Sequence, residues 1–369
     1  MSLANHRTGS VIALLGALVL AAGCGSDTAV RGGEQIPVPD DLECFGGTIS
    51  GAGSSAQELA MQVWIAGYQT ACVDSRVYYD AIGSGGGRSQ FIDGAVDFAG
   101  SDAAMDAEEM EEARQRCDGF DVIHIPAYVV PIAVAFNLEG VDSLNLTPST
   151  LARLFTGDIT RWNDPAIAET NPGVDLPDQP VIPVSRSDES GTTENFTSYL
   201  AAAAGEDWPY EPDGQWPVPP VEAGQGNSGV AQAVRSGQGT IGYMEASHAE
   251  DMATVRIGEE GDFVELSPES AARIVAVSPH REGGGPHDHA LDLDYTATGT
   301  DAYPIVLVSY EIACLSYDDE TAAAGVKAFL GYLLSDEGQQ AASAESGSAP
   351  LAPEMRARLL ESVDAIGTH

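Results

Sequence analysis

Apolar and polar positions alternate along the chain in an order that predicts short strands followed by amphipathic helices. "GTISGAGSS" (47–55) is predicted to form a strand that ends in a turn of small residues. The helix after it places Leu59, Val63 and Ala66 on one face. "RVYYDAIGSGGG" (76–87) repeats the order of strand, turn and helix. Repetition of such units predicts an α/β protein.

The rest of the chain continues this pattern. Further strands are predicted in "AVDFAGSD" (95–102), "DVIHIP" (121–126), "YVVPIAVAFN" (128–137) and the first part of "PVIPVSRSDESGTT" (180–193). Thr147 and Pro148 stand in N-cap and first-turn order, which predicts a helix start. "REGGGPHDHALDLD" (281–294) has no apolar period and is predicted to be an irregular loop, and whether its His287–His289 segment binds a metal stays open.

The N-terminal segment has the pattern of an export signal. Its apolar run (11–23) is shorter than the roughly 20 residues of a membrane span and ends directly at Cys24. We expect residues 1–23 to be a lipoprotein signal peptide, Cys24 to be lipid-modified, and 24–43 to form a flexible tether. The protein would then work outside the cytoplasm, anchored to the cell membrane. The alternative is ordinary cleavage nearby, which leaves Cys24 a plain thiol.

The composition argues against nucleic-acid binding and against a P-loop. The chain has 56 acidic and 16 basic side chains, a formal net charge of −40, and such a surface repels nucleic acid. Lys327 is the only lysine and follows Val326, so the Gly-Lys-Ser/Thr of a P-loop is absent. So acidic a surface suits a demanding ionic environment.

Four cysteines follow Cys24, and an even number in an exported chain predicts two disulfides. Three pairings are possible. We expect Cys72–Cys117 and Cys44–Cys314, because Cys72 and Cys117 would each close a helix on the same side of one lobe.

Three turns share one design that suits anion binding. They are "GAGSSA" (51–56), "IGSGGGR" (82–88) and "SRSDESGTT" (185–193), and each carries Ser or Thr beside Gly and opens a helix. A helix start leaves backbone N–H groups unpaired and partly positive, glycine lets an anion approach, and hydroxyls add donors. One such turn alone is an ordinary N-cap. Three at one sheet edge are able to converge on one anion.

Two charged residues, Arg186 and Asp102, indicate which kind of anion the turns would bind. Arg186, in the third turn, offers the bidentate donors that match phosphate, or else it forms a surface ion pair with Asp188 or Glu189. Asp102 follows a strand, at the edge where ligands gather. A carboxylate beside an anion makes sense if the anion carries a proton, which hydrogen phosphate has and sulfate lacks. The alternative is that Asp102 caps the next helix.

Several of these segments occur in the order of a known family. "TISGAGSSA", "VDFAGSDAAM", "LFTGDITRWNDPAI", "SRSDESGTTENFTSYL" and "GNSGVAQAVRSGQGTIGYME" make the chain resemble the phosphate-binding lipoproteins of bacterial ABC phosphate transporters, from about Thr48 to the C-terminus. The resemblance is weakest over 258–303. It implies a two-lobed α/β fold of the periplasmic-binding-protein-like type II, with the ligand in the cleft. The chain would cross near residues 127 and 248, giving one lobe of 44–126 with 249–369 and another of 127–248.

The resemblance also implies a set of phosphate ligands. They are Ser55 and the backbone N–H of Ala56 from the first turn, Ser84 from the second, Asp102 as proton acceptor, Arg186, and Ser190, Gly191 and Thr192 from the third turn. Asp188 would orient Arg186. Ser55 and Ala56 stand where Thr and an aromatic residue are expected, which keeps the donors but changes the packing of the cleft.

The implied function is capture of inorganic phosphate by a monomer, closure of the lobes, and delivery to an ABC permease driven by a separate ATPase, with no cofactor and no catalysis. The same fold with another oxyanion, such as arsenate or sulfate, is the nearest alternative, and affinity is not predicted. A sensory or adhesive lipoprotein is a further one.

A phosphate-ester hydrolase that uses Ser190 is the alternative of another class. No G-x-S-x-G motif surrounds Ser84 or Ser228, because Ile82 and Val230 occupy glycine positions. No histidine lies near Ser190 in sequence.

Overall fold

The computed structural model describes residues 36–259, 261–296 and 301–369. The predicted signal peptide, Cys24 and the tether up to residue 35 lie outside the described residues. Within the described part, no helix is both long and apolar enough to cross a membrane. Residues 36–369 form one compact unit.

Strands and helices alternate through most of the chain, so the α/β prediction is confirmed. The strands are β1 Gly47–Gly53, β2 Ser75–Asp80, β3 Phe98–Ser101, β4 Val122–Asn137, β5 Ser143–Leu146, β6 Ile182–Arg186, β7 Glu222–Gly224, β8 Thr240–Glu245, β9 Ala253–Glu259, β10 Asp262–Val264, β11 Val306–Cys314, β12 Ser316–Tyr317 and β13 Gly367–Thr368. The helices are α1 Glu58–Ala71, α2 Ser84–Ile92, α3 Ala107–Arg116, α4 Pro148–Thr156, α5 Pro165–Thr170, α6 Gly191–Ala203, α7 Gly226–Ser236, α8 Pro268–Val277, α9 Glu320–Leu334, α10 Asp336–Ser346 and α11 Pro353–Asp364.

A local sequence signal sets the start of α4. Thr147 caps α4, since its hydroxyl accepts a hydrogen bond from the Thr150 backbone N–H at 3.1 Å, as predicted.

The buried face of α1 is centred on Trp64, while Leu59 and Ala66 are only half-buried. The buried face of α1 therefore differs from the predicted one, because α1 also packs on α10. There the Trp64 indole N–H donates a hydrogen bond to the Gly338 carbonyl at 2.7 Å.

The long strand β4 joins two groups of strands. The strand order is β2-β1-β3-β11-β4-β8-β6-β7. The first part of β4 pairs antiparallel with β11, and its last part, from Ile132, pairs antiparallel with β8. We call β1–β3, β11 and the start of β4 the first lobe, and the end of β4 with β5–β10 the second lobe.

Two strands predicted around residue 127 are in fact the single strand β4. The register against β11 moves from Tyr310 opposite Pro126 to Ser309 opposite Tyr128, so Ala127 is an extra residue, a β-bulge. The carbonyl of Ala127 accepts a hydrogen bond from the Gln339 side-chain amide at 2.9 Å. Pro126 is tolerated inside a strand because it adjoins this bulge.

The lobe limits at 127 and 248 stay a prediction. β9 lies beyond residue 248, yet it pairs with β5 and with the end of β4, and β10 pairs with β9. We therefore propose that the chain returns to the first lobe after Val264 rather than at 248.

The predicted disulfide pairing is wrong. The bonds are Cys44–Cys72 and Cys117–Cys314. Cys44 and Cys72 precede the neighbouring parallel strands β1 and β2, so they meet at the same sheet edge. Cys117 ends α3 just before β4, and Cys314 lies opposite Val122 at the start of that strand.

The two disulfides should differ in their contributions to stability. Cys117–Cys314 spans 197 residues and Cys44–Cys72 spans 28. Because a longer closed loop restricts the unfolded chain more, we expect the Cys117→Ser/Cys314→Ser variant to lose roughly 1–2 kcal/mol more unfolding free energy than Cys44→Ser/Cys72→Ser. Guanidinium unfolding of both variants measures this. An equal loss, or a larger one for the shorter loop, would contradict the loop-length argument.

Candidate anion site between the lobes

The predicted site residues come together where the two lobes face each other. The turn after β1, the start of α2 and the end of β3 supply the first lobe, and the turn between β6 and α6 supplies the second. All eight predicted ligands are buried: Ser55, Ala56, Ser84, Asp102, Arg186, Ser190, Gly191 and Thr192. The supporting residue Asp188 is half-buried beside them. The structure thus assembles this set from four separate chain segments.

Asp102 is the centre of a cluster of hydroxyl groups. Its Oδ1 accepts hydrogen bonds from Ser54 and, at 2.8 Å, from Ser309. Among the described residues, its Oδ2 has only the longer contacts, 3.4 Å each, with Ser84 of the first lobe and Thr192 of the second. One carboxylate oxygen is therefore held by short bonds, and the other is left for a further partner.

Competing effects set the proton affinity of Asp102. Burial raises the pKa of its carboxyl, because desolvation disfavours the charge. The hydrogen bonds from Ser54 and Ser309, the positive charge of Arg186 and the hydrogen bond from Ser84 act in the opposite direction. The pKa stays raised, which makes the carboxylate a better proton acceptor than one in water.

Asp102 does not cap the following helix. The N-cap of α3 is Asp106, which accepts from the Glu109 backbone N–H, while the Glu109 side chain accepts from the Asp106 N–H in a capping box. The capping of α3, which was the alternative considered for Asp102, is thus performed by Asp106.

Arg186 supplies a buried positive charge, and the alternative of a surface pair does not hold, because the residue is only 3% exposed. Its Nε donates to Asp188 Oδ1 at 2.9 Å, and its Nη2 pairs with Asp188 Oδ2. The Gly226 backbone N–H adds a bond of 3.0 Å to the same carboxylate. The guanidinium also contacts the hydroxyls of Ser55 and Thr192 at 3.3 and 3.4 Å. Asp188 therefore fixes the cation so that it faces both lobes.

The charge of Asp188 is secured by these contacts. Desolvation alone would raise its pKa, but the hydrogen bond and charge of Arg186 and the Gly226 N–H outweigh it and lower the pKa. Asp188 is ionised at neutral pH, which leaves the surroundings of Arg186 less positive but keeps the guanidinium in place.

The start of α6 lies against Asp102. Ser190 caps this helix, since its hydroxyl accepts from the Thr193 N–H at 3.2 Å. A Cβ added at Gly191 would lie 2.6 Å from Ser84 Oγ and 2.7 Å from Asp102 Cβ. Only glycine allows this approach, which brings the positive end of α6 beside the carboxylate.

Asn227, at the start of α7, is a site residue that the sequence analysis missed. Its amide Nδ2 donates to the hydroxyls of Ser55 at 3.1 Å and Thr192 at 3.3 Å. The Glu245 backbone N–H donates to Asn227 Oδ1 at 2.8 Å, which fixes the amide orientation. The glycine-rich turn before α7 has the same design as the other three and was the signal that could have identified it. Ser54 and Ser309 were missed as well.

Arg88 of α2 connects the lobes at the edge of this site. It is 5% exposed and pairs with Glu109 of its own lobe at 2.8 Å. Across the cleft it reaches Glu189 at 3.5 Å and Glu194 at 3.9 Å. Burial raises the pKa of Glu194 to about 7, against the charge of Arg88. The pairs with Glu189 and Glu194 therefore join the two lobes in the structure.

The histidines of the 281–294 loop contact other protein side chains. The rings of His287 and His289 hydrogen-bond to the Ser362 hydroxyl at 3.1 and 2.8 Å, and Asp288 pairs with His124 at 2.8 Å. In the described residues, the group with metal-ligand geometry is Asp118, Asp318 and His369, all exposed and outside this loop.

Comparison with known proteins gives a consistent result. A family model, the PBP superfamily domain, matches residues 40–337. Phosphate-binding protein PstS 3 of Mycobacterium tuberculosis is 37% identical over 98% of this chain and 99% of its own length. The protein of the same name from Mycobacterium leprae is 35% identical over 98% of this chain and 99% of its own length.

Solved structures show the same fold. A high-affinity periplasmic phosphate-binding protein with bound phosphate aligns with a TM-score of 0.69 and 22% identity, covering 84% of this chain and 92% of that one. A phosphate-binding protein of Stenotrophomonas maltophilia aligns with a TM-score of 0.67 and 19% identity over 86% and 94%. The two-lobed type II fold and the resemblance described above are confirmed. The chain belongs to the PBP superfamily and, within it, to the phosphate-binding PstS proteins.

Proposed function

We propose that this protein captures inorganic phosphate outside the cytoplasmic membrane and delivers it to an ABC permease that a separate ATPase drives. The observation that carries the proposal is the buried pair of Arg186 and Asp102, surrounded by hydroxyls of both lobes. A cation and neutral donors suit an oxyanion, and a carboxylate beside them suits one that still carries a proton. The names of the relatives support the same ligand.

Asp102 Oδ2 is the atom that receives the proton of hydrogen phosphate. Oδ1 is already occupied by two short hydrogen bonds, whereas Oδ2 has only long contacts, with Ser84 and Thr192. Sulfate brings no proton at neutral pH, so its oxygens would face this carboxylate with like charge. The arrangement therefore favours phosphate over sulfate.

The acidic surface affects association more than the bound state. The net charge of −40 repels an anion at a distance, but screening limits such effects to a Debye length of ~8 Å at physiological ionic strength. Inside a closed cleft, Arg186, the start of α6 and the hydroxyls act without that screening. We expect low salt to slow the association of phosphate more than it changes the rate of its release.

Hydrolysis through Ser190 has little support. In the part of the chain that the structure describes, the hydrogen bond of its hydroxyl goes to the Thr193 N–H, and no histidine contacts it. A serine nucleophile needs an adjacent base. Binding without covalent chemistry is the function that this geometry favours, and the lipid anchor at Cys24 stays part of the proposal on the sequence pattern alone.

Closure of the lobes should depend on Arg88. We expect Arg88→Met to weaken phosphate binding about tenfold and to speed its release, because the ion pairs to Glu189 and Glu194 stabilise the closed state. Stopped-flow release measures the rate. Arg161→Met, which removes an exposed pair with Asp178, is the control. Release at the wild-type rate from the Arg88 variant would show that the pairs do not hold the lobes together.

Tryptophan fluorescence tests the proposed function. Trp216 packs on Tyr243 with ring centroids 5.5 Å apart, and the Tyr243 hydroxyl contacts the Arg186 backbone N–H at 3.2 Å. Phosphate should change the fluorescence saturably at one site, and Trp216→Phe should reduce the change without loss of binding in calorimetry. Sulfate at equal concentration is the control. No binding of phosphate, or equal binding of sulfate, would overturn the proposal.

A further inference from the structure

Ser309 lies opposite Asp102 although 207 residues separate them. β11 pairs antiparallel with β3, with Tyr310 opposite Ser101, and continuing this register by one residue sets Ser309 against Asp102. Directly opposed residues of antiparallel strands are close enough for their side chains to bond. The Ala127 bulge of β4 lies beside Ser309 on its other flank. The Ser309 side chain is fully buried, and its hydroxyl donates to Asp102 Oδ1 at 2.8 Å.

Ser54 reaches the same oxygen from the turn after β1. The Ala56 backbone N–H donates to Ser54 Oγ at 3.0 Å, so this oxygen is the acceptor in that bond. The Ser54 hydroxyl proton is then directed to Asp102 Oδ1. With two hydroxyl protons on Oδ1, a third proton has room only at Oδ2.

We propose that Ser309, with Ser54, is a positioning residue for selectivity: the two hydroxyls hold Asp102 ionised and turned so that Oδ2 meets the proton of the ligand. The inference rests on the proposed function. It adds Ser309, which is absent from the set of phosphate ligands that the family resemblance implies. Ser309 itself does not touch the ligand. It acts through Asp102.

The pH behaviour of Asp102 depends on its whole surroundings. The charged and titratable groups that face it or the adjacent Ser101 are Arg186 on β6, Glu245 on β8, Glu311 on β11, Tyr79 on β2, Tyr128 on β4 and Arg88 on α2. All of these remain when Ser309 is replaced. A difference between wild type and variant therefore reports the lost hydroxyl.

The sign of the effect follows from what the hydroxyl stabilises. A hydrogen bond to the carboxylate favours the ionised form, so removing it raises the pKa of Asp102 above its value in the wild type. Sulfate is a useful probe, because it does not titrate near neutral pH and is expected to bind only when Asp102 is protonated and able to donate a hydrogen bond. Because the other groups that face Asp102 are the same in both proteins, the difference in the pH dependence of sulfate affinity between wild type and variant reports the protonation of Asp102.

The experiment is calorimetric titration of sulfate across a pH series. In Ser309→Ala we expect the pH midpoint of sulfate binding to rise by about one pH unit. Loss of a hydrogen bond to a charged group shifts the pKa of that group by about this amount or more. Ser54→Ala should move it in the same direction, and Ser309→Thr, which keeps the hydroxyl, should restore it. The matched control is Ser185→Ala, a buried serine whose hydroxyl has no hydrogen-bond partner in the described residues.

If sulfate binding is too weak to detect, the protonation of Asp102 is measured by a second method. The carboxyl carbon shift of Asp102, followed by NMR in ligand-free protein, gives the same midpoint directly, and the same upward shift is expected. An unmoved midpoint in Ser309→Ala, with phosphate and sulfate weakened equally, would reduce Ser309 to a structural residue and overturn the proposal. Failure of the wild type to bind phosphate would instead overturn the proposed function, so the two failures are distinguishable.

Discussion

Replacing Arg186 by methionine is expected to weaken phosphate binding roughly a thousandfold, about 4 kcal/mol. Arg186 is the buried cation of the site, and methionine keeps most of its length without its charge. The change also removes the main partner that lowers the pKa of Asp188, so a half-buried carboxylate beside the ligand would keep only the hydrogen bond from the Gly226 N–H. Calorimetric titration with phosphate measures the loss.

The control for this variant is Arg235→Met. Arg235 forms an exposed pair with Asp251, so its removal changes the net charge equally but touches no buried group. Its affinity for phosphate should stay within a factor of a few of the wild type. If both variants bound phosphate alike, Arg186 would not be the cation that holds the ligand.

Asp102→Asn is expected to lower phosphate affinity and raise sulfate affinity, so that the ratio between them narrows about a hundredfold. The amide oxygen is able to keep the bonds from Ser54 and Ser309, while the amide nitrogen replaces Oδ2. That nitrogen donates a hydrogen bond and accepts no proton, so the reason to prefer a protonated anion disappears.

Asp97→Asn serves as the matched control for this change. Asp97 is in the same lobe and accepts a hydrogen bond from the Ser50 backbone N–H at 2.7 Å. In the described part of the chain, its side chain forms no hydrogen bond with the predicted phosphate-binding residues. It should leave the ratio of phosphate to sulfate affinity at its wild-type value. An Asp102→Asn protein with unchanged selectivity would remove the carboxylate from its proposed role.

Much of the site was predictable because its parts are local. A strand that ends in Gly and Ser and opens a helix is visible as a short pattern, and the turns holding Ser55, Ser84 and Thr192 are of this kind. Asp102 directly follows β3 and Arg186 is the last residue of β6, and the carboxyl ends of strands gather ligands in α/β sheets. The pattern therefore indicated which segments converge.

The remainder depends on strand order, which no local pattern contains. Ser309 meets Asp102 only because β11 lies between β3 and β4, far from both in sequence. The disulfide pairing failed for the same reason, since Cys314 lies beside the start of β4. Asn227 is a milder case: its turn had the right composition, but its preceding strand β7 is only three residues long.

The most direct test of the account is an atomic-resolution crystal structure with bound phosphate. The account predicts a phosphate oxygen about 2.5–2.7 Å from Asp102 Oδ2, the distance of a hydroxyl bonded to a carboxylate, with the Arg186 guanidinium on two other oxygens. A phosphate bound elsewhere, or an Asp102 carboxylate turned away from the ion, would contradict it.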